Sequence, residues 1–276
     1  MNFQLLKMKY KILCTDLDGT LLSTKSDVSD VTISEISRIK QYLKVILVSA
    51  RMPKAMRYLQ ERLGILDNPI ICYNGALILD RLNCIFSIEL PIDIVQSVNQ
   101  LAIANGVKLG LYHRDEWYTS HNTECIQKEI DYTRITPVFR PIKETISEWK
   151  MRDIGAHKLM LMGEKEALDS MAISFSEQFD SRLVWYRSNN TILEVTPIGT
   201  SKLLGLKKII NKNQSLSDVI AFGDNYNDIE MLQKVGCGVA VGNARTEVKA
   251  VADKITSKNT NDGVAHFIRQ HLITQK

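Results

Sequence analysis

The sequence predicts an α/β protein: a parallel-sheet core interrupted by an inserted α+β domain. Three observations carry this reading. Between Tyr10 and Gly75, short continuous apolar strands alternate with helices. From about Leu82 the texture changes to consecutive strand pairs separated by helices. After Pro197 the strand–helix alternation returns. Strands that are apolar on both faces belong in a parallel sheet covered by helices on both sides.

The elements follow in order. Residues 10–15 read as a short buried strand, and residues 27–30 as a polar turn. Val31, Ile33, Ile36 and Ile39 recur at helical spacing, which predicts a helix over 32–42. The β-branched run 44–49 is a second strand. Pro53 suits the first turn of the next helix, which turns Met56, Leu59 and Leu63 inward and stops near Gly64. Residues 69–75 form a third strand. In the middle section, helices are expected over 91–105, 123–132 and 164–179. Its strands are expected at 107–112, 116–119, 157–163, 182–187 and 191–196, with "TPVFRPIKE" (136–144) as a linker-like stretch. Helix 201–210, strand 218–223, helix 226–234, strand 237–242 and a helix from about Arg245 complete the chain. The predicted architecture is a Rossmann-like core, residues 1–82 and 188–276, with residues 83–187 inserted.

Composition bounds the function. The 276 residues are 45% hydrophobic and 24% charged, as in an ordinary globular protein. A net charge of +4, with no long basic run, is too weak to argue for nucleic acid, so no nucleic-acid partner is expected, but it leaves room for a local anion site. The cysteines at 14, 72, 84, 125 and 237 form no CxxC pair and no zinc spacing. Cys14, Cys72 and Cys237 sit in apolar runs as small buried hydrophobes, and free thiols fit a reducing compartment. The opening "MNFQLLKMKYK" lacks the apolar stretch of about 7–15 residues that a signal segment needs, and Met8 offers an alternative start. No run reaches the roughly 18 apolar residues of a membrane span. A cytoplasmic protein without a membrane partner, monomeric or weakly homodimeric, is expected.

In open α/β sheets, ligands bind beyond the carboxyl ends of the strands. Those ends here are Asp16-Leu17-Asp18-Gly19-Thr20, Ser49-Ala50-Arg51, Asn74-Gly75-Ala76 and Gly223-Asp224-Asn225-Tyr226-Asn227-Asp228, and Lys202 opens the helix before the last. Asp16 and Asp18 lie two apart in extended chain, so both leave on one side and repel unless a cation or a proton intervenes. Asp18-Gly19 alone would pass as a solvated turn; beside Asp224 and Asp228 it does not. Hard oxygen ligands next to a phosphate site suit Mg²⁺. Ser49, before a turn and a helix, can hold phosphate oxygens through its hydroxyl and nearby N–H groups. Lys202 supplies one fixed cation where the acids meet. His113, His121, His157, His266 and His271 show no metal-ligand spacing and read as surface or packing residues.

These residues resemble the motifs of the haloacid dehalogenase-like (HAD) superfamily of phosphotransferases. Asp16-Leu17-Asp18-Gly19-Thr20-Leu21 is similar to its first motif, Ser49 to its second, Lys202 to its third, and Gly223 to Asp228 to its fourth. Asn74-Gly75-Ala76, Gly242-Asn243-Ala244 and Asp262-Gly263-Val264 resemble the Cof-type sugar-phosphatase branch. The resemblance covers nearly the whole chain and implies a cap domain in the inserted segment. It also implies a Mg²⁺-dependent phosphatase for a small phosphorylated metabolite, most readily a sugar phosphate, working through an aspartyl-phosphate. Asp16 would be the nucleophile and Asp18 the general acid and base, its pKa raised by the crowded acidic site. Leu17, Ser49, Ala50, Arg51, Asn74, Lys202 and Asn227 would bind phosphate and substrate. The Asp16 carboxylate, the Asp18 backbone carbonyl and Asp224 would hold Mg²⁺, with Asp228 completing or orienting the shell.

One departure stands out: Ser49-Ala50-Arg51 replaces the branch's usual Thr-Gly-Arg. The hydroxyl survives, but Ala50 lacks glycine's freedom at positive φ, so a slightly altered loop is expected. The link "IKQYLKVILVS" also lacks the glycine common there. In the cap, His113, Arg114, His157 and Lys158 are candidates to meet the leaving group. The same chemistry with another acceptor would give a phosphotransferase or phosphomutase. A non-catalytic phospho-ligand-binding regulator has no need of Asp16, Asp18, Lys202 and Asp224 together. A receiver-type signalling domain is about half this length and carries no insertion.

Overall fold

Every residue of the first strand, β1 (Ile12–Thr15), is buried, as an unbroken apolar run requires. The computed structural model describes residues 9–24, 26–179 and 182–272; the alternative start at Met8 lies outside them. Helix α1 (Asp30–Ile39) opens on Ser29, whose hydroxyl accepts the Thr32 N–H. Strand β2 (Lys44–Val48), helix α2 (Pro53–Leu63) and strand β3 (Ile70–Cys72) follow as expected. Pro53 sits in the first turn of α2 and Gly64 ends it at φ 64°.

The chain then doubles back as β4 (Leu77–Asp80) and β5 (Asn83–Ser87), antiparallel to β3 and to each other. These two strands depart from the sequence reading. β5 is mostly exposed at the sheet edge, so it lacks the apolar pattern that marks buried strands.

The inserted segment contains α3 (Ile92–Ala104), β6 (Lys108–His113), β7 (Glu116–Thr119), α4 (Glu124–Thr133), β8 (Val138–Phe139) and α5 (Ile142–Met151). It continues with β9 (Lys158–Met162), α6 (Lys165–Gln178), β10 (Leu183–Asn189) and β11 (Ile192–Pro197). Residues 136–144 are therefore not a linker: they hold edge strand β8 and the start of α5. Pro141 takes the cap position of α5, where a missing N–H costs nothing. The core resumes with α7 (Lys202–Ile209), β12 (Val219–Gly223), α8 (Ile229–Lys234), β13 (Cys237–Ala240), α9 (Thr246–Val251), β14 (Lys254–Ile255) and α10 (Gly263–His271). A tight turn over 226–228 replaces the expected first turn of α8.

The core sheet has eight strands in the order β14-β13-β12-β1-β2-β3-β4-β5, parallel from β14 to β3. Successive strands step away from β1 in one direction and from β12 in the other. The order therefore reverses between β1 and β12, the switch point where such sheets bind ligands. The inserted sheet has six strands, β10-β11-β9-β6-β7-β8, antiparallel except for β7–β8. The expected divisions after residues 82 and 187 are displaced by this pairing, because 83–87 belong to the core sheet and 192–197 to the inserted one. We place the two crossings at 88–89 and 198–199.

The inserted sheet has two distinct faces. Leu109, Leu111, Leu159, Leu161, Leu193 and Val195 pack with Val95, Val98, Trp149 and Phe175 from its own helices. Tyr112, Trp117, Met160 and Met162 join the hydrophobic cluster of the core instead. At the junction, Tyr73 Oη donates to the Arg114 carbonyl at 2.6 Å and the Gly155 N–H donates to Glu89 at 2.7 Å. His113 Nδ1 donates to the Gly155 carbonyl at 3.0 Å. His157 is fully buried, and burial, with His113 and Arg114 nearby, pushes its pKa down to about 3. Its Nδ1 accepts the Arg114 N–H at 3.3 Å, so Nε2 carries the proton and donates to Ser87 Oγ at 2.9 Å. His113 and His157 thus fasten the junction; of the four cap candidates, Lys158 alone lies in a strand register that faces the core.

The turn after β3 holds three successive left-handed residues: Tyr73, Asn74 and Gly75 at φ 52°, 54° and 101°. A Cβ on Gly75 would lie 2.4 Å from the Ser201 carbonyl oxygen, at the mouth of α7. Gly75→Ala is therefore expected to lower the unfolding free energy in urea by about 1–3 kcal/mol. An unchanged urea midpoint would show that α7 is not held against this turn.

Candidate active site

β1 and β12 end side by side at the switch point, and each ends in acid. Asp16 continues the extended chain and donates its N–H to the Phe222 carbonyl at 3.1 Å. The chain then turns back at Gly19, φ 81°, closed by the Leu22 N–H on the Leu17 carbonyl at 3.0 Å. A Cβ on Gly19 would come within 2.5 Å of an Asp224 carboxylate oxygen, so only glycine lets the two loops approach. Thr20 Oγ1 donates to Asp224 Oδ1 at 2.9 Å. The Leu17 side chain is fully buried, which leaves only its backbone for phosphate.

Lys202, at the start of α7, is 1% exposed. Its ammonium donates to Asp16 Oδ1 at 2.6 Å and to Asp228 Oδ1 at 2.7 Å. The other Asp228 oxygen accepts the N–H groups of Asp224 and Asn225, at 3.0 and 3.1 Å. Asp228 is thus filled on both oxygens and acts as a brace. One oxygen each of Asp16, Asp224 and Asp228 lie within 4.8 Å of one another.

Three carboxylates share one ammonium, and the pKa shifts reflect it. Burial pushes the Asp16 carboxyl well up; Asp228 and Asp224 add to this and Lys202 opposes it. Burial and then Asp228 raise Asp224 to about 6. Burial alone would lower Lys202, but Asp16 and Asp228 outweigh it and the pKa rises. An excess of negative charge on hard oxygens, confined and dry, fits a divalent cation. Asp16 and Asp224 have oxygens to offer it.

Asp18 is elsewhere. Its carboxylate takes two hydrogen bonds from the Arg51 guanidinium, at 2.8 and 2.6 Å. Arg51 is buried while the Asp18 side chain is 47% exposed. The acidic crowding expected around Asp18 is not what its carboxylate meets: its hydrogen-bonded partner is the Arg51 guanidinium. Its carboxylate also stands outside the cluster of Asp16, Asp224 and Asp228.

The second and third strand ends are tied together. The Asn74 N–H donates to the Ser49 carbonyl at 3.0 Å, and the Tyr73 N–H to the Arg51 carbonyl at 3.3 Å. The Ser49 hydroxyl, 1% exposed, accepts the Arg51 N–H at 3.1 Å. Ala50 is not among the positive-φ residues, so its Cβ carries no strain there. Asn227 Nδ2 donates to Asn74 Oδ1 at 3.0 Å. Asn74 Nδ2 and Asn227 Oδ1 are buried without a partner among the described residues, an orphaned pair that a ligand would satisfy.

Two further residues shape the site. Asn243, after β13, donates to the Gly19 carbonyl at 2.7 Å and accepts the Asn259 N–H at 2.8 Å. Arg245 donates its N–H to the Asp224 carbonyl at 3.0 Å and its side chain to Asn225 Oδ1 at 2.8 Å. Both follow yet another strand end of the same sheet, which is the signal that finds them.

Comparison with known proteins agrees with this geometry. A family model described as haloacid dehalogenase-like hydrolase matches residues 13–268. Pyridoxal phosphate phosphatase of Escherichia coli is 28% identical over 276 residues, covering 96% of this chain and all of that one. The 5-amino-6-(5-phospho-D-ribitylamino)uracil phosphatase of Bacillus subtilis is 27% identical, covering 97% and 99%. The crystal structure of a haloacid dehalogenase-like hydrolase from Bacteroides thetaiotaomicron superposes with a TM-score of 0.86 at 29% identity, over 95% of this chain and 99% of that one. The chain belongs to the haloacid dehalogenase-like hydrolases, in the Cof-type branch that its motifs resemble, and is a phosphomonoesterase of that kind.

Removing the ammonium tests the electrostatics. Lys202→Met is expected to lower stability in EDTA near neutral pH by about 3–5 kcal/mol, since it strands two buried carboxylates. The loss should shrink as the pH falls through 6. Asp16 and Asp224 have raised folded-state pKa values, so the native form binds their protons more readily than the unfolded chain does. Urea melts at several pH values read this directly; a pH-independent loss would contradict it.

Proposed function

We propose that this haloacid dehalogenase-like hydrolase uses Mg²⁺ to hydrolyse small phosphate monoesters, sugar phosphates foremost, through an aspartyl-phosphate. The observation that carries the reading is the Lys202 ammonium pinned between Asp16 and Asp228 at the switch point of the sheet. It holds the Asp16 carboxylate in place at the end of β1.

In this reading Asp16 attacks phosphorus in line with the ester oxygen. The Asp16 Oδ–P bond forms, the P–O bond to the alcohol breaks, and Asp18 gives its proton to the departing oxygen. Asp18 then takes a proton from water as that water attacks phosphorus, the acyl-phosphate bond breaks and inorganic phosphate leaves. Asp18 must first leave the Arg51 guanidinium; the exposed position of its side chain allows this. Lys202, the Ser49 hydroxyl and the orphaned amide of Asn74 meet the equatorial oxygens as charge spreads over them. Mg²⁺, held by Asp16 and Asp224 with the Asp18 backbone carbonyl, supplies the remaining countercharge when bound. The inserted domain serves as the cap that excludes water and meets the alcohol. A cytoplasmic setting and a monomeric or weakly dimeric state belong to the same proposal. No helix among the described residues is long and apolar enough to cross a membrane.

The experiment is phosphate release from p-nitrophenyl phosphate and sugar phosphates, without added acceptor. Activity is expected with Mg²⁺ and not with EDTA, and Asp16→Asn is expected to lose at least about 10³-fold in kcat while its circular dichroism is unchanged. Asp18→Asn should lose about 10²–10⁴-fold and, with p-nitrophenyl phosphate, show a burst as the phosphoenzyme accumulates without its base. Release of phosphate only when a second sugar is added would reassign the protein as a phosphotransferase. Wild-type turnover by Asp16→Asn would remove the nucleophile.

A further inference from the structure

The helix side of the inserted sheet, turned away from the core, holds a cavity of about 630 Å³. It lies between α3, α5, the start of β6 and the residues that follow β7. Small-molecule sites span roughly 300–1,000 Å³. The floor is apolar: Val107, Leu109, Ile142 and Ile146 belong to the cluster packed under the helices. One polar side chain interrupts it. α3 buries Ile94, Val95, Val98, Asn99 and Ala102 along one stripe. Asn99 is 8% exposed and lines the cavity, and its amide has no hydrogen-bond partner among the described residues. An apolar residue would continue the stripe without the cost of an unmet amide.

The rim carries charge of one sign. Lys108, Lys143 and Lys150 line it, and none has an ion pair or hydrogen bond from its ammonium among the described residues. No carboxylate belongs to the lining. Glu148 of α5 is already taken by Arg140 and Arg152. α5, ten residues long, also opens onto the cavity through Pro141, Ile142 and Lys143, with no side chain capping its N-terminus. Glu144, the acid of that first turn, stands outside the lining. A lysine at a helix N-terminus adds to the positive end of the helix dipole. An anion there would answer the lysines and the dipole together.

We propose that this cavity is a second ligand site, separate from the catalytic edge, for an organic anion with a flat heterocyclic body, the chemical class of the nucleoside phosphates. The body rests on the apolar floor and turns its hydrogen-bonding edge to Asn99. The phosphates reach Lys143, Lys150 and the N–H groups at the start of α5. An amide offers a donor and an acceptor side by side, which pairs with a heterocycle edge that carries the same two groups. An inorganic anion would leave the floor and Asn99 unfilled, and a neutral heterocycle would leave the lysines unanswered. The site does not depend on the phosphatase reading, because the inserted sheet separates it from the core.

Titration calorimetry on the full chain in EDTA, where turnover is not expected, tests this with ADP, pyrophosphate and adenosine as probes. ADP is expected to bind with a Kd at least about tenfold below that of either fragment. Lys143→Gln with Lys150→Gln should weaken ADP about tenfold and leave turnover of p-nitrophenyl phosphate with Mg²⁺ unchanged. Asn99→Leu should bring ADP within about threefold of pyrophosphate, since the edge of the body then has no partner. Thermal melts confirm that each variant is folded, and Asn99→Ala makes the same comparison if leucine is too large for the stripe. Absence of ADP binding, or ADP bound no tighter than pyrophosphate, would overturn the site. ADP binding that none of these variants moves would place the nucleotide elsewhere on the protein and overturn it as well.

Discussion

The site depends on one buried contact, the Lys202 ammonium between Asp16 and Asp228. Withdrawing three charges from water costs several kcal/mol per ion, and the attraction among them returns that only when geometry is good and remaining valences are filled. Here they are. Asp228 spends its second oxygen on two backbone N–H groups, and Asp16 is fixed by the end of β1. A set of apolar side chains would hold these loops as well or better. What the charged set provides is position: Asp16 at a fixed distance from Lys202, with an oxygen left over. The close approach of Gly19 to Asp224 and of Gly75 to Ser201 serves the same end, because it lets three loops and a helix start share one small volume.

The second aspartate is treated in the opposite way. Asp18 lies two residues from Asp16, yet it is half exposed and paired with a buried arginine. A nucleophile profits from rigidity, since misplacement by an ångström costs rate. A group that delivers a proton and later takes one back has to move and change partners. The Arg51 pair holds the Asp18 carboxylate away from the other acids, and Arg51 follows Ser49 in a turn where its N–H donates to the Ser49 hydroxyl. In the proposed mechanism, drawing Asp18 toward the ester breaks that pair.

Much of the site was legible in the sequence because it obeys a topological rule. Residues 16, 49, 74 and 224 all follow buried strands, and parallel strands end on one edge of a sheet. The core strands could be read because burial on both faces leaves a continuous apolar run. Where burial is one-sided the reading fails. β5 lies at the sheet edge with most residues exposed, and β8 is two residues between prolines, so both passed as irregular chain. The Asp18–Arg51 pair was equally out of reach: sequence spacing says which side a carboxylate leaves from but not which rotamer it adopts. Glu194 drew no notice because it is one carboxylate in an ordinary strand, and only the folded sheet brings it beside Lys158.

The same two-sidedness shapes the inserted domain. A strand alternates its side chains, so one face of the six-stranded sheet can be given wholly to leucine and valine under the helices. The opposite face is then relieved of most of the folding burden and needs only enough apolar surface, Tyr112, Trp117, Met160 and Met162, to rest on the core. Positions 158 and 194 can carry charge there because each supplies the other's counter-ion. Residues at alternate positions of β9 and β11 can therefore change while the hydrophobic layer behind them stays as it is.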